Sequence, residues 1–101
     1  MLLTPIPGAT VERVFAVAGE APGGWYFEAS FPINVVSAEG KMLAELPAQA
    51  QSDWMTPEQV PFKALVDVGE YSGPAILILK RDNPSDMREH DASVSIPITI
   101  K

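Results

Sequence analysis

An all-β, antiparallel two-sheet sandwich of about seven strands is the fold class that this sequence predicts. Three observations carry it. Apolar residues recur with a period of two rather than 3.6. Gly or Pro turn signals separate most of the alternating runs. No stretch has the length and spacing of an amphipathic helix.

Each element follows from its own pattern. Short apolar runs place strands at Leu2–Thr4 and Val14–Gly19. In "GGWYFEASFPINVV", Trp25, Phe27, Ala29, Phe31, Ile33 and Val35 share one parity, and Tyr26, Glu28, Ser30, Pro32 and Asn34 the other. A strand over Phe27–Val36 would put the first set inward and the second, Tyr26 and Glu28 included, outward. "SAEGK" closes a hairpin, with Gly40 able to take a left-handed conformation. The return strand, Lys41–Gln51, sets Met42, Ala44, Leu46, Ala48 and Ala50 on one face. In "DWMTPEQVPF", Thr56 suits an N-cap, Pro57 the first helical position and Gln59 a capping box, so one helical turn is expected at Thr56–Gln59. Phe62–Val68 alternates again. Ala75–Arg81 is apolar on both faces, as a central strand would be. Ala92–Ile100 presents Val94, Ile96, Ile98 and Ile100 inward. Pro32 and Pro97 interrupt strand patterns and are expected at edges or bulges, since each removes a ladder donor.

Composition narrows the function classes. A chain of 101 residues with 47% hydrophobic content is read as a single domain, residues 1–101, with one modest core. It has no cysteine, which excludes disulfides, thiolate metal sites and a cysteine nucleophile. The formal net charge is −6, and the seven Lys and Arg residues are scattered. Nucleic-acid binding needs clustered cations, so no nucleic-acid partner is expected. No apolar run approaches the ~20 residues that span a bilayer, so no membrane insertion is expected. Met1-Leu2-Leu3 runs straight into Thr4-Pro5 without the pattern of a signal peptide.

The segments "PIPGATV", "VAGEAPGGWYFEASFPINV", "EGKMLAELPAQAQSDWM", "VPFKALV" and "LKRDNPS" fall in order along nearly the whole chain. In these the chain resembles the immunoglobulin-like domain associated with bacterial spore germination. The resemblance implies an immunoglobulin-like Greek-key sandwich in an exported or lipid-anchored bacterial protein, and hence an extracytoplasmic location. It implies an accessory domain that is not an enzyme, and it supplies no catalytic or binding residues. The disulfide of antibody domains is missing here, so Trp25 or Trp54 is expected to fill that central space.

The chemistry-bearing residues are few. His90 is the one histidine, beside Asp91 in "DNPSDMREHDAS". Neighbouring residues do not place a carboxylate on the ring as a triad requires, and no G-x-S-x-G elbow exists, so no catalytic residue is assigned. Asp82, Asn83, Asp86, Glu89 and Asp91 supply hard oxygens that suit calcium, but the spacing is not that of an EF-hand. A solvated turn is the preferred reading, with no metal and no cofactor. Trp25, Tyr26, Trp54 and Tyr71 offer the aromatic faces of a glycan-binding platform, the alternative function. The preferred function is a spacer or protein-interaction module of an envelope protein. Its expected contact residues are Tyr26 and Glu28 on the outer face and Asp82, Asn83, Asp86 and Asp91 in the loop. The partner is expected to be a protein or an envelope glycan.

Overall fold

The computed structural model describes residues 2–82 and 92–101. Among the described residues eight strands follow one another: β1 Leu2–Thr4, β2 Thr10–Val11, β3 Val14–Pro22, β4 Ser30–Ser37, β5 Met42–Ala50, β6 Gln59–Asp67, β7 Gly73–Lys80 and β8 Ser93–Ile100. A 3₁₀ turn, Gly23–Trp25, lies between β3 and β4. The all-β class and seven of the strands are those expected. β2 is the addition, and at two residues it is too short to show a period.

Hydrogen bonds join the strands into one sheet in the order β1-β3-β6-β5-β4-β7-β8-β2. Every neighbouring pair is antiparallel except β2 with β8, which is parallel. Among the long strands the shortest ladder is that between β5 and β6, which pair only at Gln49↔Lys63 and Ala50↔Phe62. The edge strands β1 and β2 are separated in the chain only by Pro5 to Ala9, which contain a cis Thr4-Pro5 bond. So short a connection forces the two edges together, and the sheet is curled almost into a barrel. The chain crosses the sheet between β3 and β4 and between β6 and β7, strands that are not neighbours.

Curling brings the apolar parities into one core. Phe15 and Val17 of β3 meet Val60, Phe62 and Val66 of β6 and Phe31, Ile33 and Val35 of β4. Leu77 and Leu79 of β7 and Ile96, Ile98 and Ile100 of β8 complete it. Of the residues expected inward, Phe31, Ile33 and Val35 of β4 and Ile96, Ile98 and Ile100 of β8 are buried. On β5, Ala48 is fully buried, whereas Met42 stays half exposed because the ladder slips between Val35 and Val36 and leaves Leu43 as an extra residue. Gly40 closes the β4–β5 hairpin at φ 89°, its N–H bonded to the Ser37 carbonyl.

The prolines obey a rule finer than edge placement. Pro32 sits in β4, a central strand, opposite Pro47 of β5. Two facing prolines cannot exchange N–H bonds, so each nitrogen points away from the other strand. The β4–β7 ladder starts one residue later, at Ile33↔Leu79, and no donor is missed at Pro32. Pro97 fits the expectation better. Its carbonyl accepts from Gly8 N–H on the side away from β7, so its nitrogen also faces outward.

The helical turn expected at Thr56–Gln59 is absent. Gln59 opens β6 opposite Pro22, and the Glu58 carbonyl accepts from Gly23 N–H. Ladder hydrogen bonds thus take the groups a helix would have used. No helix among the described residues is long and apolar enough to cross a membrane.

Candidate functional site

Three connections emerge at the same end of the molecule. The registers Ser30↔Gln49, Pro22↔Gln59 and Lys80↔Ser93 put residues 23–29, residues 51–58 and the pair Arg81 and Asp82 at one end. Connections held at one end of a rigid sheet are where such folds carry recognition.

The first connection is built around Tyr26. The 3₁₀ turn is closed by Tyr26 N–H donating to the Gly23 carbonyl at 3.1 Å. This reverses the expected parity: Tyr26 is buried at 4% exposure, and Phe27 is 45% exposed. The Tyr26 ring meets Phe31 edge to face at 5.1 Å, and Phe31 meets Phe62 in the same way at 4.9 Å. Trp25 is half-buried rather than central, edge-on to Phe31 at 5.7 Å. The Tyr26 hydroxyl donates to the Val60 carbonyl at 2.7 Å. Burial, with the nearby Glu20 charge second, pushes the Tyr26 phenol up to about 12.

A pH dependence follows. The folded state keeps the Tyr26 proton beyond the point, near pH 10, where an unfolded tyrosine loses it. The stabilisation is therefore intact below pH 10 and is lost as pH climbs from 10 toward 12. At pH 11 the loss amounts to about 1.4 kcal/mol. Tyr26→Phe should cost about 1 kcal/mol at neutral pH through the lost hydrogen bond and should remove this part of the alkaline decline. Urea unfolding of both proteins at pH 8 and pH 11 measures it. Equal alkaline losses in the two would refute the assignment.

Phe27 and Ser30 exchange two backbone hydrogen bonds, at 2.8 and 3.2 Å, around Glu28 and Ala29. Those two residues have φ of 52° and 68°, the type I′ geometry in which Asn-Gly is the favoured pair. Glu-Ala is strained there, because a left-handed Cβ crowds the backbone. Glu28 does face solvent, as expected, but from a hairpin turn and not from the outer side of a strand. Replacing Glu28-Ala29 by Asn-Gly should stabilise the fold by ~1–2 kcal/mol. Thermal unfolding reads this directly, and a lowered midpoint would contradict the turn geometry.

The second connection is ordered by its own side chains. Asp53 Oδ1 accepts from Met55 N–H at 3.0 Å, and Thr56 Oγ1 accepts from Glu58 N–H at 3.3 Å. Trp54 is half-buried against the core, while Met55 stands 77% exposed. Gly23 docks on this loop so closely that a Cβ built on it would lie 1.8 Å from the Thr56 carbonyl oxygen. At the third connection, Arg81 Nε donates to the Gly24 carbonyl at 3.3 Å, and Asp82 N–H donates to the Trp25 carbonyl at 2.9 Å. Beside Asp82 lies a shallow depression of ≈ 370 Å³ lined by Phe31, Pro32, Pro47 and Glu45 among others.

Of the expected contact residues, Glu28 and Asp82 are brought to this end, and Tyr26 is in the core beneath it. Asn83, Asp86 and Asp91, with His90, lie outside the described residues. Among the described residues, no group of three His, Cys, Asp or Glu side chains is arranged to hold a metal. The four aromatics considered as a platform are divided. Tyr26 is buried, Tyr71 lies at the opposite end with its hydroxyl on the Pro74 carbonyl, and both tryptophans pack against the core. Sequence reasoning missed Phe27 and Met55 as surface residues. Asp53 two residues before Met55 was the available signal for the second, since Asp-x-x is a common side-chain-closed turn.

A family model described as the immunoglobulin-like domain of bacterial spore germination matches residues 2–88. No curated protein matches the chain.

Proposed function

The chain belongs to the family of immunoglobulin-like domains of bacterial spore germination, and from that premise we propose that it is a non-catalytic accessory module of a bacterial envelope protein. It works as an immunoglobulin-like sandwich, its two halves meeting at the short β5–β6 link. It acts by binding, on the outer side of the cytoplasmic membrane, with a protein as partner. The observation that supports this most is the end described above, where ordered loops on a closed core hold Phe27 and Met55 in solvent. Loops held at one end of a rigid scaffold are where binding residues concentrate, and these two side chains lie on such loops.

The glycan-binding alternative has less support, because such a platform needs exposed rings side by side and Tyr26 is in the core. The deciding experiment offers the purified chain separately to envelope protein extract and to isolated peptidoglycan. Saturable capture of protein without co-sedimentation on peptidoglycan is the expected result. Co-sedimentation with peptidoglycan and no protein capture would reverse the choice.

A further inference from the structure

Resting on that binding-module reading, we propose that the end formed by Phe27, Met55 and their flanking turns docks a basic, amphipathic segment of a partner protein. The apolar side chains come first in the argument. Phe27 is 45% and Met55 77% exposed, and both are fixed by backbone pairing or by side-chain-closed turns. With the backbone already held at both positions, docking has to order only the two side chains.

Charge then names the occupant. The described residues of the connections at this end carry Glu28, Asp53, Glu58 and Asp82 against Arg81 alone. Arg81 is turned to the Gly24 carbonyl. At the opposite end the connections and terminus are balanced: Glu12, Glu39 and Glu70 face Arg13, Lys41 and Lys101. The one ion pair among the described residues, Lys101 with Glu12 at 3.3 Å, is also there. The connections that carry the exposed apolar pair therefore hold an acidic excess, and a partner with lysine or arginine beside apolar anchors satisfies both. Acidic and neutral partners satisfy only the apolar half. The outer face of the sheet is the rival surface, where Met42, Val36, Ile76 and Pro97 form a row across β5, β4, β7 and β8. Lys41, Glu45 and Lys80 give that face mixed charge, so it does not select a partner by sign.

The test titrates the isotope-labelled chain with three synthetic peptides: an amphipathic lysine–leucine peptide, its glutamate–leucine counterpart and a lysine–serine peptide. The lysine–leucine peptide should bind, with shifts confined to residues 27–30 and 53–58. Raising the salt should weaken it. Phe27→Ser and Met55→Ser should each weaken it by about tenfold or more, and Ile76→Ser on the outer face should leave it unchanged. Both mutated side chains are solvent-exposed, and unchanged melting confirms that the variants fold. Equal binding of the glutamate–leucine or the lysine–serine peptide, or no binding of the lysine–leucine peptide, overturns the proposal. Shifts centred on Ile76 overturn this surface and leave the binding-module reading standing. Self-association that Phe27→Ser abolishes would make a second copy the occupant and overturn the basic partner. Failure of the envelope capture together with failure of all three peptides would remove the binding reading itself.

Discussion

Phe31→Ala is expected to cost the fold about 3–5 kcal/mol, the largest loss predicted for any single side chain here. The ring is 1% exposed and is the hub of the aromatic cluster, meeting Trp25, Tyr26 and Phe62 edge to face. Truncation removes the ring's own transfer free energy. It also leaves a cavity that three other rings cannot fill without leaving their geometry, since Tyr26 is tethered through its hydroxyl to Val60. For a domain of this size, whose stability is ~5–15 kcal/mol, that is a large share, and the melting midpoint should fall by roughly 15 °C or more. Phe27→Ala is the matched control. Continuous strand alternation would put both rings in the core, so both variants would be severely destabilised. With Phe27 half exposed ahead of a tight turn, its loss should stay under about 1 kcal/mol. Comparable losses from the two variants would restore the unbroken strand and displace the turn at Glu28-Ala29.

That contrast shows where the sequence was legible. Two-residue periodicity reports burial wherever a chain is already paired on both sides or packed on one. It therefore placed Phe31, Ile33 and Val35, Phe62 and Val66, and Ile96, Ile98 and Ile100 on the inner face. It carries no information about where a strand begins. The alternation Trp25-Phe27-Ala29-Phe31 is unbroken in letters, yet a 3₁₀ turn and a left-handed pair interrupt it in space. Neither has the Asn-Gly signature that would have revealed it. The helical turn at Thr56 failed for the opposite reason. Its local capping signals were real, but Gln59 and Glu58 were claimed by bonds to Pro22 and Gly23, more than thirty residues earlier in the chain. The candidate site lies in these two places, so its residues were the least readable. Glu28 was expected to face outward and does; Tyr26 was expected to and does not.

Gly23→Ala should lower stability by about 3 kcal/mol, far more than one methyl group on a turn would suggest. The reason is tertiary. Gly23 has an ordinary φ, so backbone conformation alone would tolerate alanine. The added Cβ would instead lie 1.8 Å from the Thr56 carbonyl oxygen and 2.5 Å from that of Trp54. Both are backbone atoms, and no side-chain rotation relieves the overlap. The loop of residues 51–58 must move as a unit, breaking the bond from Gly23 N–H to the Glu58 carbonyl and lifting Trp54 from the core. Gly24→Ala is the internal comparison. Its nearest neighbour is the end of the flexible Arg81 side chain at 4.0 Å, so the change should be neutral or stabilise by a few tenths of a kcal/mol. Chemical denaturation of the two variants gives the difference, and amide spectra should show the Gly23 perturbation concentrated in residues 51–58. Because the same loop holds Met55 in solvent, Gly23→Ala should also weaken any ligand of this end even where the domain remains folded. Two alanine variants of equal stability would mean that the loop does not rest on the turn.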